Sequence, residues 1–362
     1  MELHTDKRIE YIDAFRGFIM VLVVYHHIAY WCLDNLEFGY NETFRKFLMP
    51  TFFFLSGYLF YNSNSIWNKE RIYDILKKKF MKLIIPFFFF MFLYMYLFNA
   101  PEYHTTFDSK YGFWYIFTLF QYYVIYIGIE VLFNNNASNK KEIGVMLFML
   151  TLSVIAFYYE QLRYSIDLGI WKKVLTVFSF AKIKFIFFFW LGTFVKKNYA
   201  LYIRFSENTY VIAICLCLFF LLAIHSRQIY NSNLELRVIS FLLSGTTGII
   251  ILFSIFRKNE THFSKNKKIG KALQYIGKRT LDIYLLHYFV LPYHMYQIST
   301  WLSEYSNKTF DMLIIIPLTL WVVSISLLLS KIIRLSPFLG HYLFGVERAA
   351  TPDKTDLKPQ NS

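Results

Sequence analysis

The chain has 362 residues, of which 56% are hydrophobic and 21% aromatic but only 17% charged, against about 25% charged in an average soluble domain. That much apolar surface excludes a disordered chain and a soluble fold of this size. The formal charge is +14, which in a soluble protein points to nucleic acid, but here Lys and Arg cluster between apolar runs, as they do beside membrane spans.

The first apolar run, 11–33, follows Lys7 and Arg8. Asp13 and Arg16 interrupt its start and no small-residue cleavage site follows, so an uncleaved span is expected rather than a secretory signal. A span needs about 20 mainly apolar residues. Nine later segments meet that need: 44–62, 79–99, 113–134, 143–160, 175–195, 208–226, 236–256, 279–299 and 310–333. With the N-terminus inside, 26 of the 38 Lys and Arg fall on the inner side and 11 on the outer, Arg16 lying within the first span. The expected fold is therefore an all-α polytopic bundle of about ten transmembrane helices in contact with lipid, with both termini cytoplasmic. Residues 1–342 form that domain and 343–362 a short polar tail. No nucleic-acid partner is expected. The sequence has no C-x-x-C pattern, so no metal is expected. Cys32, Cys215 and Cys217 lie in or at the edge of apolar runs and read as buried thiols rather than a disulfide framework.

Ionisable groups inside spans are costly and mark candidate functional positions. The first span holds Asp13, Arg16, His26 and His27; later spans hold Glu130, Asp282, His287 and His294. Arg16 and His27 are 11 residues apart, nearly three helical turns, so they share one face about 16 Å apart. Asp13 lies three residues before Arg16 on the same stripe. His26 points roughly a quarter-turn away. An imidazole is the natural general base near neutral pH, and a guanidinium the natural clamp for phosphate or carboxylate. The competing reading is that Asp13 and Arg16 pair at the interface while His27 bonds a neighbouring backbone group.

Asp13-Ala14-Phe15-Arg16-Gly17 followed by His27 resembles the first-helix signature of the membrane acyltransferase family 3. The resemblance continues through Phe52-Phe53-Phe54-Leu55-Ser56-Gly57-Tyr58-Leu59, Lys79-Phe80-Met81-Lys82-Leu83-Ile84-Ile85-Pro86 and Phe113-Trp114-Tyr115-Ile116. It extends to Leu191-Gly192, Tyr275-Ile276-Gly277-Lys278-Arg279-Thr280-Leu281, Tyr284-Leu285-Leu286-His287, and Ser336-Pro337 with Phe344-Gly345. Their order and spacing make it specific. It implies a ten-helix enzyme of the bacterial cytoplasmic membrane that moves an acyl group, most commonly acetyl, from cytoplasmic acyl-CoA to a sugar hydroxyl of a cell-envelope or exported polysaccharide. Acyl-CoA is then a substrate, and no cofactor is permanently bound. His27 would be the essential histidine and Arg16 its functional partner, with Asp13 beside it.

Two departures stand out. The basic element usually carries Arg and here has Lys79 and Lys82, which bind phosphate without the guanidinium fork. An acid that some relatives carry after the Trp motif is absent from Thr118-Leu119-Phe120-Gln121.

Lys79, Lys82, Lys278 and Arg279 are candidates for the donor's phosphates, or a positive-inside anchor. His287 is a candidate for lining the cavity or positioning the donor, or else a satisfied interior histidine; Tyr284 is a candidate for the cavity, and Trp114 for an acceptor platform or an aromatic-belt anchor. Ser56 is a candidate cavity residue beside a close helix approach at Gly57. A glycan or lipid-linked-intermediate transporter without catalysis is the alternative reading of the whole; it has no need of a base beside an anion clamp.

Overall fold

The computed structural model describes residues 9–33, 38–62, 67–98, 110–133, 139–293, 295–305 and 307–345. His294 and most of the tail, 346–362, lie outside them. The described residues are mostly helical and contain no strand. In lipid this is the expected solution, because a helix satisfies its backbone groups internally.

Helix α1 (Glu10–His27) runs on into a π-helical turn, Ile28–Cys32. Helix α2 is Asn41–Phe60, with Pro50 inside it. Helix α3 (Lys69–Lys79) joins α4 (Ile85–Leu97) through a second π-helical turn, Phe80–Ile84. The next helices are α5 (Trp114–Phe133), α6 (Asn139–Leu162), α7 (Ile170–Val177), α8 (Ile186–Lys197), α9 (Tyr199–Glu207), α10 (Thr209–Ile224), α11 (Ser226–Tyr230) and α12 (Leu234–Lys258). The chain closes with α13 (Lys268–Lys278), α14 (Thr280–Leu286), α15 (Tyr296–Tyr305), α16 (Lys308–Ile333) and α17 (Pro337–Phe344).

Among the described residues, six helices are long and apolar enough to cross a membrane, or eight if each of two bent pairs is one span. The bends are 50° between α7 and the run Phe180–Lys197, and 74° between α9 and α10. The chain is thus a multi-pass membrane protein. Two expected spans differ from a plain crossing. α2 is 20 residues long but carries Glu42, Arg45 and Lys46 in its first two turns, which shortens its apolar length. The segment 279–299 is helical only over Thr280–Phe289 and again from Tyr296. Pro292, whose ring removes a donor and bars the preceding residue from the helical region, falls in the gap. Cys32 and Cys215 are buried as expected, whereas Cys217 is exposed on the outside of the bundle.

Among the described residues, glycine lets the backbones themselves meet at two helix crossings. A Cβ on Gly17 would strike the Leu273 carbonyl, and one on Gly277 the Asp13 carbonyl, so α1 and α13 touch backbone to backbone. Gly57 and Gly192 do the same for α2 and α8, against the carbonyls of Phe189 and Phe54. Small residues serve this purpose throughout membrane bundles. α14 is tied to α16 by a two-point ion pair: Arg334 Nε and Nη2 donate to the Asp282 carboxylate at 2.8 and 3.0 Å, and the Ser330 hydroxyl donates to the same group. α14 is thereby held against α1.

Candidate active site

A cavity of about 250 Å³ opens where four helices converge. From α1 it receives Arg16, Met20 and Val23; from α2, Met49, Phe52, Ser56 and Phe60; from α5, Tyr115, Leu119 and Tyr123; from α14, Thr280 and Tyr284. These are single stripes of each helix, at spacings of three or four residues, so each helix turns one face to the same space. Lys79 and Lys82 enter from the π-turn between α3 and α4.

The charged residues lining the cavity are Arg16, Lys79 and Lys82, all cations. Arg16 Nη2 donates to Thr280 Oγ1 at 2.9 Å, and its Nη1 lies 3.8 Å from Asp13 Oδ1. Asp13 is buried and outside the lining, so it orients the guanidinium and offsets part of its charge from behind. Lys79 Nζ lies 4.2 Å from the Tyr123 ring centre and 5.0 Å from that of Phe60. Cation–π contact holds the ammonium at the cavity without neutralising it. The arrangement favours an anionic group. Deeper polar groups are hydroxyls: Ser56 Oγ and Tyr115 Oη are 2.9 Å apart, and Tyr284 Oη donates to Gly112 O at 2.7 Å while accepting from the Tyr115 N–H at 3.1 Å.

His27 continues the α1 stripe one turn beyond Val23, about 6 Å further along. Its Nδ1 lies 2.8 Å from Nε2 of His287. The two rings are 6° from coplanar with centres 5.0 Å apart, an edge-on arrangement of a direct ring-to-ring hydrogen bond. His287 is fully buried and its Nδ1 lies 2.9 Å from Ile283 O. The Tyr288 ring packs 5.2 Å from that of His27. His26 belongs to a different neighbourhood: its Nδ1 lies 3.0 Å from Asn41 Oδ1 on α2, and its ring stacks on Tyr30.

The structure therefore gathers Arg16, Lys79, Lys82, Ser56 and Tyr284 around one cavity, with Asp13 behind Arg16 and the pair His27–His287 beyond its end. Lys278 is exposed and Arg279 lies over the Tyr275 ring at 4.1 Å; neither lines the cavity. Trp114 packs on Phe185 at 5.8 Å under Lys182, outside the lining. Thr280, Tyr115 and Tyr123 had no role assigned from sequence. A signal for Thr280 exists, since it sits four residues before Tyr284 on one helical face. For the two tyrosines there is none, because the few polar residues of α5, Thr118, Gln121 and Glu130, are scattered around it and its pattern selects no face. Among the described residues, no three His, Cys, Asp or Glu side chains are grouped to hold a metal ion.

A family model described as an acyltransferase domain, that of acyltransferase family 3, matches residues 9–331. No curated protein and no solved structure matches the chain.

Proposed function

The chain belongs to acyltransferase family 3 and is an acyltransferase for groups other than aminoacyl; on that premise we propose that it moves an acetyl group from cytoplasmic acetyl-CoA to a sugar hydroxyl of an envelope or exported polysaccharide. The observation that carries this reading is the α1 stripe. Arg16, Met20 and Val23 form one wall of a cavity whose lining charges are all positive, and the next turn of the same stripe presents His27.

A CoA-type donor fits that order of groups. Its phosphates are drawn to Arg16, Lys79 and Lys82 by charge. Its pantetheine arm runs along the apolar stretch past Met20 and Val23, toward the imidazole about 16 Å from the guanidinium's helix position. The acceptor hydroxyl gives its proton to His27 as its oxygen bonds to the thioester carbonyl carbon. The carbon–sulfur bond then breaks, and the CoA thiolate leaves and takes the proton back from the imidazolium. Asp13 and Thr280 fix the guanidinium in place. Ten spans with both termini cytoplasmic complete the proposal; α2 and the broken segment α14–α15 supply the two crossings beyond the eight that length and apolarity support. A C-terminal reporter active on only one side of the membrane tests the orientation.

Mass spectrometry of envelope glycans from cells with and without this chain tests the reaction. An acyl mass difference on an otherwise intact polymer is expected. Loss of the polymer from the surface with no acyl change would replace the enzyme by a glycan transporter.

A further inference from the structure

We propose that His287 is a positioning residue: it fixes the ring orientation and tautomer of His27, so that His27 Nε2 is the atom that takes the acceptor's proton. The inference rests on the acyltransfer reading above and adds a residue to it.

Donors and acceptors along this contact fix both tautomers. A carbonyl oxygen only accepts, so the 2.9 Å contact from His287 Nδ1 to Ile283 O puts a proton on that nitrogen. A neutral imidazole carries one N–H. His287 Nε2 is then a lone pair, and the 2.8 Å contact with His27 Nδ1 requires His27 to be the donor. The His27 proton therefore sits on Nδ1 and the lone pair on Nε2. The chain of bonds from the Ile283 carbonyl through His287 to His27 sets the only nitrogen that can act as a base. When His27 becomes an imidazolium, its Nδ1–H bond to His287 gains charge assistance. A carboxylate fills this place behind the histidine of the hydrolase triad; here a buried neutral imidazole does.

Two features of the fold support the assignment. The rings are nearly coplanar and edge-on, the geometry of a directed bond rather than of face-to-face packing. α14 and the 3₁₀ turn that follows it, His287–Phe289, also join α1 at both functional positions, by Thr280 to Arg16 and by His287 to His27. The seven-residue helix and this turn together act as a splint along the stripe.

The test uses the full chain in membranes, with initial rates of CoA release from acetyl-CoA and label incorporation into endogenous acceptor. His287→Ala should lower kcat at least about 10-fold, and by no more than the roughly 10²–10⁴-fold that loss of the general base itself costs, with KM for acetyl-CoA within about 2-fold because His287 lies outside the cavity lining. His287→Gln, whose amide oxygen can accept from His27 Nδ1, should recover most of the rate. His287→Met, of similar volume but without a strong acceptor, stands in for the alanine protein if that one does not accumulate. Separately, ¹⁵N-histidine NMR of the purified protein, assigned by the resonance missing in His27→Ala, should show His27 protonated at Nδ1. Full kcat in His287→Ala, equal losses in the alanine and glutamine variants, or a change confined to KM overturns the proposal while the acyltransfer reading stands. An Nε2–H tautomer in the wild type also overturns it. Wild-type membranes that release no CoA above the empty-vector level refute the acyltransfer reading, and the positioning role falls with it.

Discussion

Removing the guanidinium of Arg16 should weaken donor binding far more than it weakens the fold. Arg16 lines the cavity with one nitrogen on Thr280 and another 3.8 Å from Asp13. Its side chain is 28% exposed, so neither full solvent screening nor a dry interior applies. A hydrogen bond to a charged group contributes about 1.5–3 kcal/mol, and each 1.4 kcal/mol is tenfold in affinity. Arg16→Ala should therefore raise Kd for a non-hydrolysable acyl-CoA by about 10- to 100-fold, the lower end being favoured because Asp13 already offsets part of the charge. Arg16→Lys should fall between, since an ammonium keeps the charge but cannot reach Thr280 and Asp13 with one planar group. Titration of the purified proteins at fixed ionic strength measures both. Unchanged affinity in Arg16→Ala would remove Arg16 from the donor site and leave it as an interface anchor.

His27→Ala should abolish measurable acyl transfer at normal membrane abundance, by about 10²–10⁴-fold, while His26→Ala, which loses the Asn41 contact and the stack on Tyr30, keeps most of it; the same membrane assay decides, and loss confined to His26→Ala would put the base on the other face of α1. Gly277→Ala should lower thermal stability in detergent by about 1–3 kcal/mol, the cost of overpacking, because its Cβ meets the Asp13 carbonyl; a wild-type melting profile would show that α1 and α13 separate freely. Asp282→Ala should cost about 3 kcal/mol, the lower end of the range for breaking a buried pair, since Arg334 keeps 26% of its side chain exposed; an unchanged denaturation midpoint would refute a structural role for that pair.

Much of the fold was legible because membrane burial writes itself into composition. The all-helical character and the Arg16–His27 stripe depend only on local apolar runs and on 3.6-residue periodicity, and the basic element around Lys79 and Lys82 on local clustering. The partner of His27 was not legible, since His287 lies 260 residues away and no local pattern joins them. The break of the ninth apolar segment was also hidden. Hydropathy averaged over 279–299 is indifferent to whether the chain is one helix or two, and only Pro292 marks the gap. Tyr115 and Tyr123 show the same limit from the other side. Where the few polar residues of a helix are scattered around it, as in α5, its sequence carries no angle, and only the packing of its neighbours selects the face that meets the cavity.

Among the described residues, both helical turns of the wider π type lie beside candidate residues: His27 immediately precedes Ile28–Cys32, and Lys79 immediately precedes Phe80–Ile84. Such a turn carries one residue more than an α-turn, and each residue advances a helix by about 100°. These turns thus act as phase absorbers, each holding one residue beyond what the flanking helix needs to complete its revolution. Removing one residue from 80–84 would let the segment close as ordinary helix with α3 and α4 still in step, and only the wide turn beside Lys79 would be lost. The same deletion inside the regular part of α3 has nothing to absorb it and would rotate everything on one side by about 100°. Lys79 would then leave its place over the rings of Phe60 and Tyr123. A one-residue deletion should therefore be better tolerated at 28–32 and 80–84 than in the helices that flank them.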